Sequence, residues 1–304
     1  MDPEFWGPSA WKLLHSISYA YKYALESSIA YSNFLKTIPF ILPCKYCRSS
    51  LIDYYKEHPF QIFIVHYLNK TNQTDRSFLD GSGIMNPKLN MPKWMYTIHN
   101  CVNNKLRKQG LPKPLNPSYS EVEKHYAIVC KQPWNVQLTQ YWNFLFSVGY
   151  NHPKKKHRDS TPMPNCPSGI KHSKDKCEKN KWNVLSLKDK NLWYRRFWEY
   201  LPAVLPAEIA LHWKEAEAKN PPNFKSQTTV LYWLWNMRCT LDTTFKESYP
   251  IVCKQYKIHY TAEQTLKTKK TQKTKKMKKM KKMKKMKKTL KIKKTQKTLK
   301  TRQY

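Results

Sequence analysis

Two cysteines separated by two residues, Cys44 and Cys47, have the spacing most typical of chemistry in this sequence. Pro43 favours a helix that begins just after it, so the two thiols are expected one helical turn apart at a helix start. Partial positive charge there, with Lys45 and Arg48 nearby, stabilises the thiolate that attacks disulfides. The pair therefore predicts redox chemistry, while half of a zinc site and two buried thiols are open alternatives.

A second group of polar residues lies between His99 and Leu106. On a helix His99 and Asn103 share one face, because they are four residues apart, and Lys105 adds an ammonium group. Imidazole, carboxamide and ammonium groups beside apolar residues suit a flat aromatic ligand that carries phosphates. On pattern alone, however, a solvated polar face is the favoured explanation of the stretch.

Helices are expected to position these groups, because apolar residues recur at helical spacing and no useful length alternates with period two. Residues 6–26 predict an amphipathic helix with Trp11 and His15 on one face. The chain as a whole is predicted to be all-α. The further helical stretches of this first region are expected at 31–41, directly after Pro43, at 61–69 and at 92–108, with a polar loop at 71–90.

A second region begins after Gly110, where three prolines mark a linker and the chain becomes rich in Trp and Tyr. The sequence therefore predicts a domain at 1–110, a mainly helical domain at 111–262 with its own core, and a tail at 263–304. The candidate helices of the second domain are 120–130, 134–148, 187–200, 208–219 and 228–242, with a basic loop at 152–181.

The positive charge is concentrated at the end of the chain. The net charge is +36, and residues 264–304 hold 19 Lys and one Arg, which leaves +16 for residues 1–263. Like charges repel, and the three-residue Lys-Lys-Met repeat keeps no fixed face on a helix. The tail is predicted to be disordered. It is expected either to bind polyanions without sequence specificity or to be an unselected solubilising extension.

Composition excludes several functional classes. The six glycines form neither a dinucleotide-binding fingerprint nor a phosphate loop, so any nucleotide cofactor must be held by side chains on helices. No run of about 18 apolar residues occurs, so no membrane-spanning helix is expected. Residues 1–11 lack the basic and apolar segments of a secretory signal, and a soluble chain is expected.

Three segments in order resemble the Erv/ALR sulfhydryl oxidases: Gly7 to His15 with its central Trp11, the Cys-x-x-Cys pair, and Trp94 to Leu106. The resemblance covers about the first 110 residues. It implies a four- to five-helix bundle that binds FAD between its helices. The implied enzyme is a thiol oxidase that forms disulfides in protein substrates and reduces oxygen to hydrogen peroxide.

The resemblance also assigns roles to residues. It implies that Cys47 lies next to the flavin and that Cys44 is the outer thiol, which exchanges with substrates through a mixed disulfide. The implied partners are a protein dithiol or thioredoxin-like substrate and a second copy of the chain, bound through the N-terminal helices. No metal is implied. The implied flavin contacts are Trp11, His15, His99, Asn100, Asn103, Lys105 and Lys108.

The sequence departs from the family at several positions. Pro8 stands where many cellular members carry Arg, and Cys101 where Glu is common. Tyr96 replaces a cysteine of a structural disulfide, and Lys113 lies near the place of its partner, so that staple is expected to be absent. The missing staple and the added C-terminal region are similar to members from large DNA viruses, which implies the host cytoplasm, the virion or both.

The other cysteines leave several possibilities open. Cys166 and Cys177 could form a shuttle disulfide that relays electrons to Cys44, or a loop staple, with zinc binding beside His157 and His172 ranked lower. Further bridges between Cys239 and Cys253 and between Cys101 and Cys130 are conceivable. The alternative function for the whole chain is a basic nucleic-acid-binding or virion structural protein with a structural or zinc-binding Cys-x-x-Cys.

Overall fold

A computed structural model describes residues 3–63, 83–154 and 185–259. The described residues up to Tyr256 belong to one compact unit. The predicted tail from residue 263 and the basic loop from residue 155 to 181 lie outside the described residues. The predicted boundary at residue 110 falls inside this unit and stays a prediction.

Within the described residues the mainly helical fold is confirmed. The N-terminal helices are α1 Pro3–Ala20, α2 Leu25–Ile41, α3 Lys45–Glu57, α4 Met91–Lys108 and α5 Tyr119–Val129. The later helices are α6 Trp134–Thr139, α7 Trp142–Tyr150, α8 Leu187–Val204, α9 Ala207–Lys219, α10 Gln227–Leu241 and α11, residues 249–259.

A short antiparallel ribbon accompanies the helices. The strand β1, Gln61–Phe63, pairs with β2, Gly83–Met85, with Ile62 opposite Ile84. The helix expected at 61–69 is therefore wrong at its first three residues, and its remainder lies outside the described residues. Gln61 is buried against α2, where its amide contacts the Ser32 hydroxyl. This tertiary contact favours the strand.

Side-chain caps explain where several helices begin. Asn90 caps α4 by accepting the Lys93 N–H, and Pro92 follows in the first turn. Ser118 and Glu121 form a reciprocal capping box at the start of α5. These are local signals, so the observed starts lie within one residue of the predicted ones, 92 and 120.

Two predicted helices are interrupted by tertiary hydrogen bonds. The helix expected at 6–26 ends at Ala20, where the Tyr31 hydroxyl donates to the Ile17 carbonyl at 3.0 Å. The helix expected at 134–148 is split into α6 and α7. There Ser9 Oγ donates to the Gln140 carbonyl at 2.7 Å and accepts the Phe144 N–H at 3.0 Å, which interrupts the regular helical bonding.

The core is continuous across the predicted boundary at residue 110. The helix α2 packs mainly against α8, and α1 packs against α7. Phe34 lies 5.5 Å from Phe197 between ring centroids, and Phe40 stacks on Trp193 at 4.0 Å. The aromatic residues of the second region thus cover the first two helices as well as one another.

Candidate functional site

The two cysteines of the redox motif lie at the start of α3. Cys44 is the N-cap residue, and its Sγ accepts the Cys47 backbone N–H at 3.3 Å. Both are free thiols. Cys44 is 8% exposed, whereas Cys47 is half-buried. Cys44 is the thiol implied to exchange with substrates, but in this thiol form it is the more buried of the two, because it closes the turn that follows Pro43.

The electrostatic surroundings of Cys47 differ from the expectation. Its pKa is raised above the ordinary thiol value, because the hydrogen bond with Cys44 and burial outweigh the positive charges of Lys105 and Arg48. The positive charges expected to stabilise a thiolate are therefore outweighed at Cys47. Lys105 Nζ donates to the Ser50 hydroxyl, so this residue of α4 reaches across to α3.

A cluster of rings joins α1 to α4. Trp11 stacks on His99 with ring centroids 3.9 Å apart and planes inclined by 12°. His15 Nε2 and His99 Nδ1 are 3.1 Å apart and share a hydrogen bond. The spacing of four residues between Trp11 and His15 therefore places both on one face, as the sequence predicts.

Both imidazoles of this cluster are neutral. Burial lowers the pKa of His15 to about 3, helped by the nearby His99 and His125, and burial lowers the pKa of His99 to about 4. His15 is 2% exposed, and its Nδ1 atom has no hydrogen-bond partner. A buried imidazole nitrogen without a partner is an available contact for a ligand.

The helix α5 completes the wall of the cluster. Tyr126 stacks on His15 with centroids 4.7 Å apart and on Tyr19 at 5.4 Å. Sequence reasoning missed Tyr126, because the prolines after Gly110 assigned α5 to another domain. The helical pattern at 120–130 was visible, but nothing in it indicates which helix it covers.

A cavity of about 260 Å³ lies between α1, α4 and α5. Four predicted contacts line it, and Trp11 adjoins it through His99. Lys105 instead faces α3, and Lys108 is exposed at the end of α4. The lining residues are His15, Tyr96, His99, Asn100, Asn103, Pro117, Glu121, Val122, His125 and Tyr126.

The segment expected to be a linker is fixed to α4. Tyr96 Oη donates to the Pro117 carbonyl at 2.9 Å, and its ring meets Tyr119 edge to face. Arg107 Nη1 donates to Asn116 Oδ1 at 3.2 Å. Lys113 lies 4.0 Å from Glu4. Polar contacts therefore hold this segment against the rest of the fold. The structural disulfide of other family members, which this chain lacks at Tyr96, would lie at the same place.

The remaining described cysteines form no bridge. Cys101, Cys130, Cys239 and Cys253 are free thiols, so the two bridges considered from the sequence are absent from the structure. Cys101 Sγ lies 3.7 Å from His58 Nε2. The proposed shuttle residues Cys166 and Cys177 lie outside the described residues.

The described residues contain neither a metal-binding cluster nor a membrane-spanning helix. Residues 3–63, 83–154 and 185–259 contain no group of three or more His, Cys, Asp or Glu side chains that could hold a metal ion. No helix in those ranges has the length and apolar character needed to cross a membrane. A larger cavity, about 440 Å³, lies between α8 and α9 and shares no lining residue with the His15 cluster.

Comparisons with known proteins concern the N-terminal region. The model of the Erv1 / Alr family matches residues 8–126. An Invertebrate iridescent virus 6 protein, named as an FAD-linked sulfhydryl oxidase, is 31% identical over 115 residues, 37% of this chain and 89% of that protein. An Acanthamoeba polyphaga mimivirus protein with the same description is 28% identical over 116 residues, 38% of this chain and 67% of that protein. No solved structure matches the chain.

Proposed function

This chain belongs to the Erv1/Alr family, and from that premise we propose that it is an FAD-linked thiol oxidase whose redox pair is Cys44 and Cys47. The observation that carries the proposal is the arrangement of α1, α3 and α4. The middle of α4 joins Trp11 and His15 through His99, and Lys105 in its last turn reaches the helix of the cysteines.

The residues of the cluster fit the chemistry of FAD. Trp11, His99 and Tyr126 offer flat faces on which an aromatic ring system can stack. His15 Nδ1 offers a buried nitrogen, and Asn100 and Asn103 line the same cavity with carboxamides. At about 260 Å³ the cavity is smaller than the roughly 300–1,000 Å³ of typical ligand sites, so FAD requires the rings to separate.

The proposed reaction begins with a disulfide between Cys44 and Cys47. A substrate thiolate attacks Cys44 Sγ, the intramolecular disulfide breaks, and its electron pair goes to Cys47. A second substrate thiolate then attacks the substrate sulfur of the mixed disulfide and releases Cys44. The substrate gains one disulfide, and the two cysteines hold its two electrons and, once protonated, two protons.

The surrounding charges assist the release of Cys47. Lys105 and Arg48 both act to lower the pKa of Cys47, so they offset part of the effect that burial and the hydrogen bond with Cys44 have on a thiolate formed there. Cys44 is 8% exposed as a thiol, so its sulfur must become more accessible when a substrate docks. FAD, when bound, supplies the acceptor for the two electrons. We propose oxygen as the final acceptor, reduced to hydrogen peroxide.

The proposed substrate is a protein dithiol or a thioredoxin-like protein, acting in the host cytoplasm, the virion or both. A homodimer is also implied by the resemblance. One face of α1 packs against α7 and one face of α2 packs against α8, so a second copy would contact the remaining surface of these helices.

The function can be tested on the purified full chain. We expect the visible absorption of a bound flavin and consumption of oxygen when dithiothreitol is added. The Cys47→Ser variant should lose this consumption by at least about 100-fold, because the pair can no longer form a disulfide. Cys253→Ser, a half-buried thiol of α11, is the matched control. A colourless wild-type chain, or an unchanged rate in Cys47→Ser, would contradict the proposal.

A second candidate function is favoured by the lysine-rich end of the chain. The 20 cationic residues of 264–304 would bind nucleic acid by counterion release. This function predicts salt-dependent binding that deletion of residues 264–304 removes, while thiol oxidation continues. Tight nucleic-acid binding by a protein that holds no flavin would favour it over the oxidase.

A further inference from the structure

Two hydrogen bonds hold the turn between α2 and α3. Arg48 Nη1 donates to the Leu42 carbonyl at 2.8 Å, and Tyr194 Oη donates to the Ile41 carbonyl at 3.3 Å. These carbonyls lie at the C-terminal end of α2, where a helix has no donors of its own for them. The turn that leads to Cys44 is therefore fixed by one residue of α3 and one of α8.

The donor from α8 is itself held firmly. Tyr194 is 1% exposed. The preceding residue, Trp193, stacks on Phe40 with ring planes inclined by 4°, and Phe197 packs against Phe34 one turn away. Close packing of this kind leaves a side chain little freedom to move. The position of the Tyr194 hydroxyl thus fixes the position of the α2 terminus.

The guanidinium of Arg48 connects this turn to the thiols. Arg48 is 7% exposed, and its charge lowers the pKa of both Cys47 and Tyr194 against the effect of burial. The charge of Arg48 therefore acts on the phenol of α8 and on the thiol of α3. The hydrogen bond from Arg48 to the Leu42 carbonyl fixes the position of the guanidinium charge.

Resting on the proposed function, we propose that Tyr194 is a positioning residue of the redox centre, which fixes with Arg48 the turn that presents Cys44 and Cys47. The added C-terminal region then tunes the equilibrium between thiols and disulfide. In the thiol form this turn lets Cys44 Sγ accept the Cys47 N–H at 3.3 Å. A looser turn weakens that bond, so the reduced pair loses stability relative to the disulfide.

The full chain with Tyr194→Phe tests this role. Under anaerobic conditions, wild type and variant are equilibrated with glutathione and glutathione disulfide, and alkylation with mass spectrometry measures the Cys44–Cys47 disulfide. Two glutathiones reduce one disulfide and yield one glutathione disulfide. The equilibrium constant for this reduction should fall roughly threefold to tenfold, the effect of one lost hydrogen bond.

Two further variants keep the result interpretable. Tyr200→Phe, on the same helix, should leave the constant unchanged, whereas Arg48→Lys keeps the cation, removes the Nη1 donor and should lower it. If Tyr194→Phe does not fold, judged by circular dichroism, Arg48→Lys decides. An unchanged constant in the folded variant, or an equal shift in Tyr200→Phe, overturns the proposal. Failure of the proposed function is separate, since it appears as wild-type protein without flavin or thiol oxidation.

Discussion

The region matched by the family and the region that follows it are built from different kinds of contact. In the first, histidines, an indole and carboxamides meet around a cavity, and His15 keeps an unpartnered nitrogen there. In the second, the largest buried side chains are aromatic and pack on one another and on α1 and α2, among them Trp142, Trp198 and Trp213. Under the proposed function, the first region carries the chemistry and the second region supports its helices.

The largest expected effect concerns this support. A chain of residues 1–130 keeps α1 to α5 but exposes the face of α2 that α8 covers. Exposure of Phe34, Phe40 and Ile41 costs up to about 5–9 kcal/mol, close to the roughly 5–15 kcal/mol that stabilises a whole domain. We expect no cooperative thermal transition by circular dichroism, whereas deletion of residues 264–304 alone should leave the transition unchanged.

The same truncation also tests whether α2 is covered by the second region or by a second copy of the chain. A folded monomer of residues 1–130 with a normal transition would contradict the support assigned to the second region. A folded dimer would contradict it too and would indicate that a second copy covers α2, as the resemblance implies. Sedimentation of the soluble fraction distinguishes these outcomes.

An intermediate effect is expected from a histidine of the second region. His152 is 1% exposed, and burial lowers its pKa to about 4, as burial does for His15 and His99 in the first region. The unfolded chain binds a proton at His152 below about pH 6.5, but the folded chain does so only near pH 4. The contribution of neutral His152 to the free energy of unfolding is therefore complete above about pH 6.5, and it is lost as the pH drops towards 4.

Substitution of His152 should remove part of this acid sensitivity. Between pH 6.5 and 4 the linkage amounts to on the order of 3 kcal/mol for one such group. We expect His152→Gln to flatten the dependence of the unfolding free energy on pH by about this amount, measured by urea unfolding. His259→Gln, at the end of α11, is the control. An unaltered slope would contradict the neutral burial of His152.

The smallest effect on stability is expected at Tyr96, which makes a hydrogen bond at the position where other family members have a disulfide. Tyr96→Phe removes the bond to the Pro117 carbonyl and should lower the unfolding free energy by about 0.5–1.5 kcal/mol. A disulfide typically contributes about 2–4 kcal/mol, so this contact holds the segment less firmly. Urea unfolding measures the change, and the exposed Tyr23→Phe should show none. A loss as large as that of a disulfide would contradict this description.

Much of the fold was accessible from the sequence, because its signals are local. Capping residues at Asn90 and Ser118 place the starts of α4 and α5 within a residue. The ends of α1 and α6 were missed, since they depend on Tyr31 and Ser9, which act across the fold. Periodicity describes one helix at a time and cannot indicate such partners.

The site was predictable to the same extent. Spacing placed Trp11 with His15, and the resemblance joined them to His99, because those residues recur in order. Tyr126 and Tyr194 were not found, since each reaches the site from a helix beyond residue 110 and shares no motif with it. The burial of Cys44 was missed as well, because it depends on how the turn after α2 closes.

The most direct measurement is an anaerobic titration of the purified full chain with dithiothreitol, followed by the visible absorption of the flavin. We predict that bound flavin in the wild-type protein is bleached as the Cys44–Cys47 disulfide is reduced, and that Cys47→Ser retains its flavin without rapid bleaching. A protein that binds no flavin, or equal bleaching rates in both proteins, would contradict the claim that these thiols deliver electrons to a ligand held by the Trp11, His15 and His99 cluster.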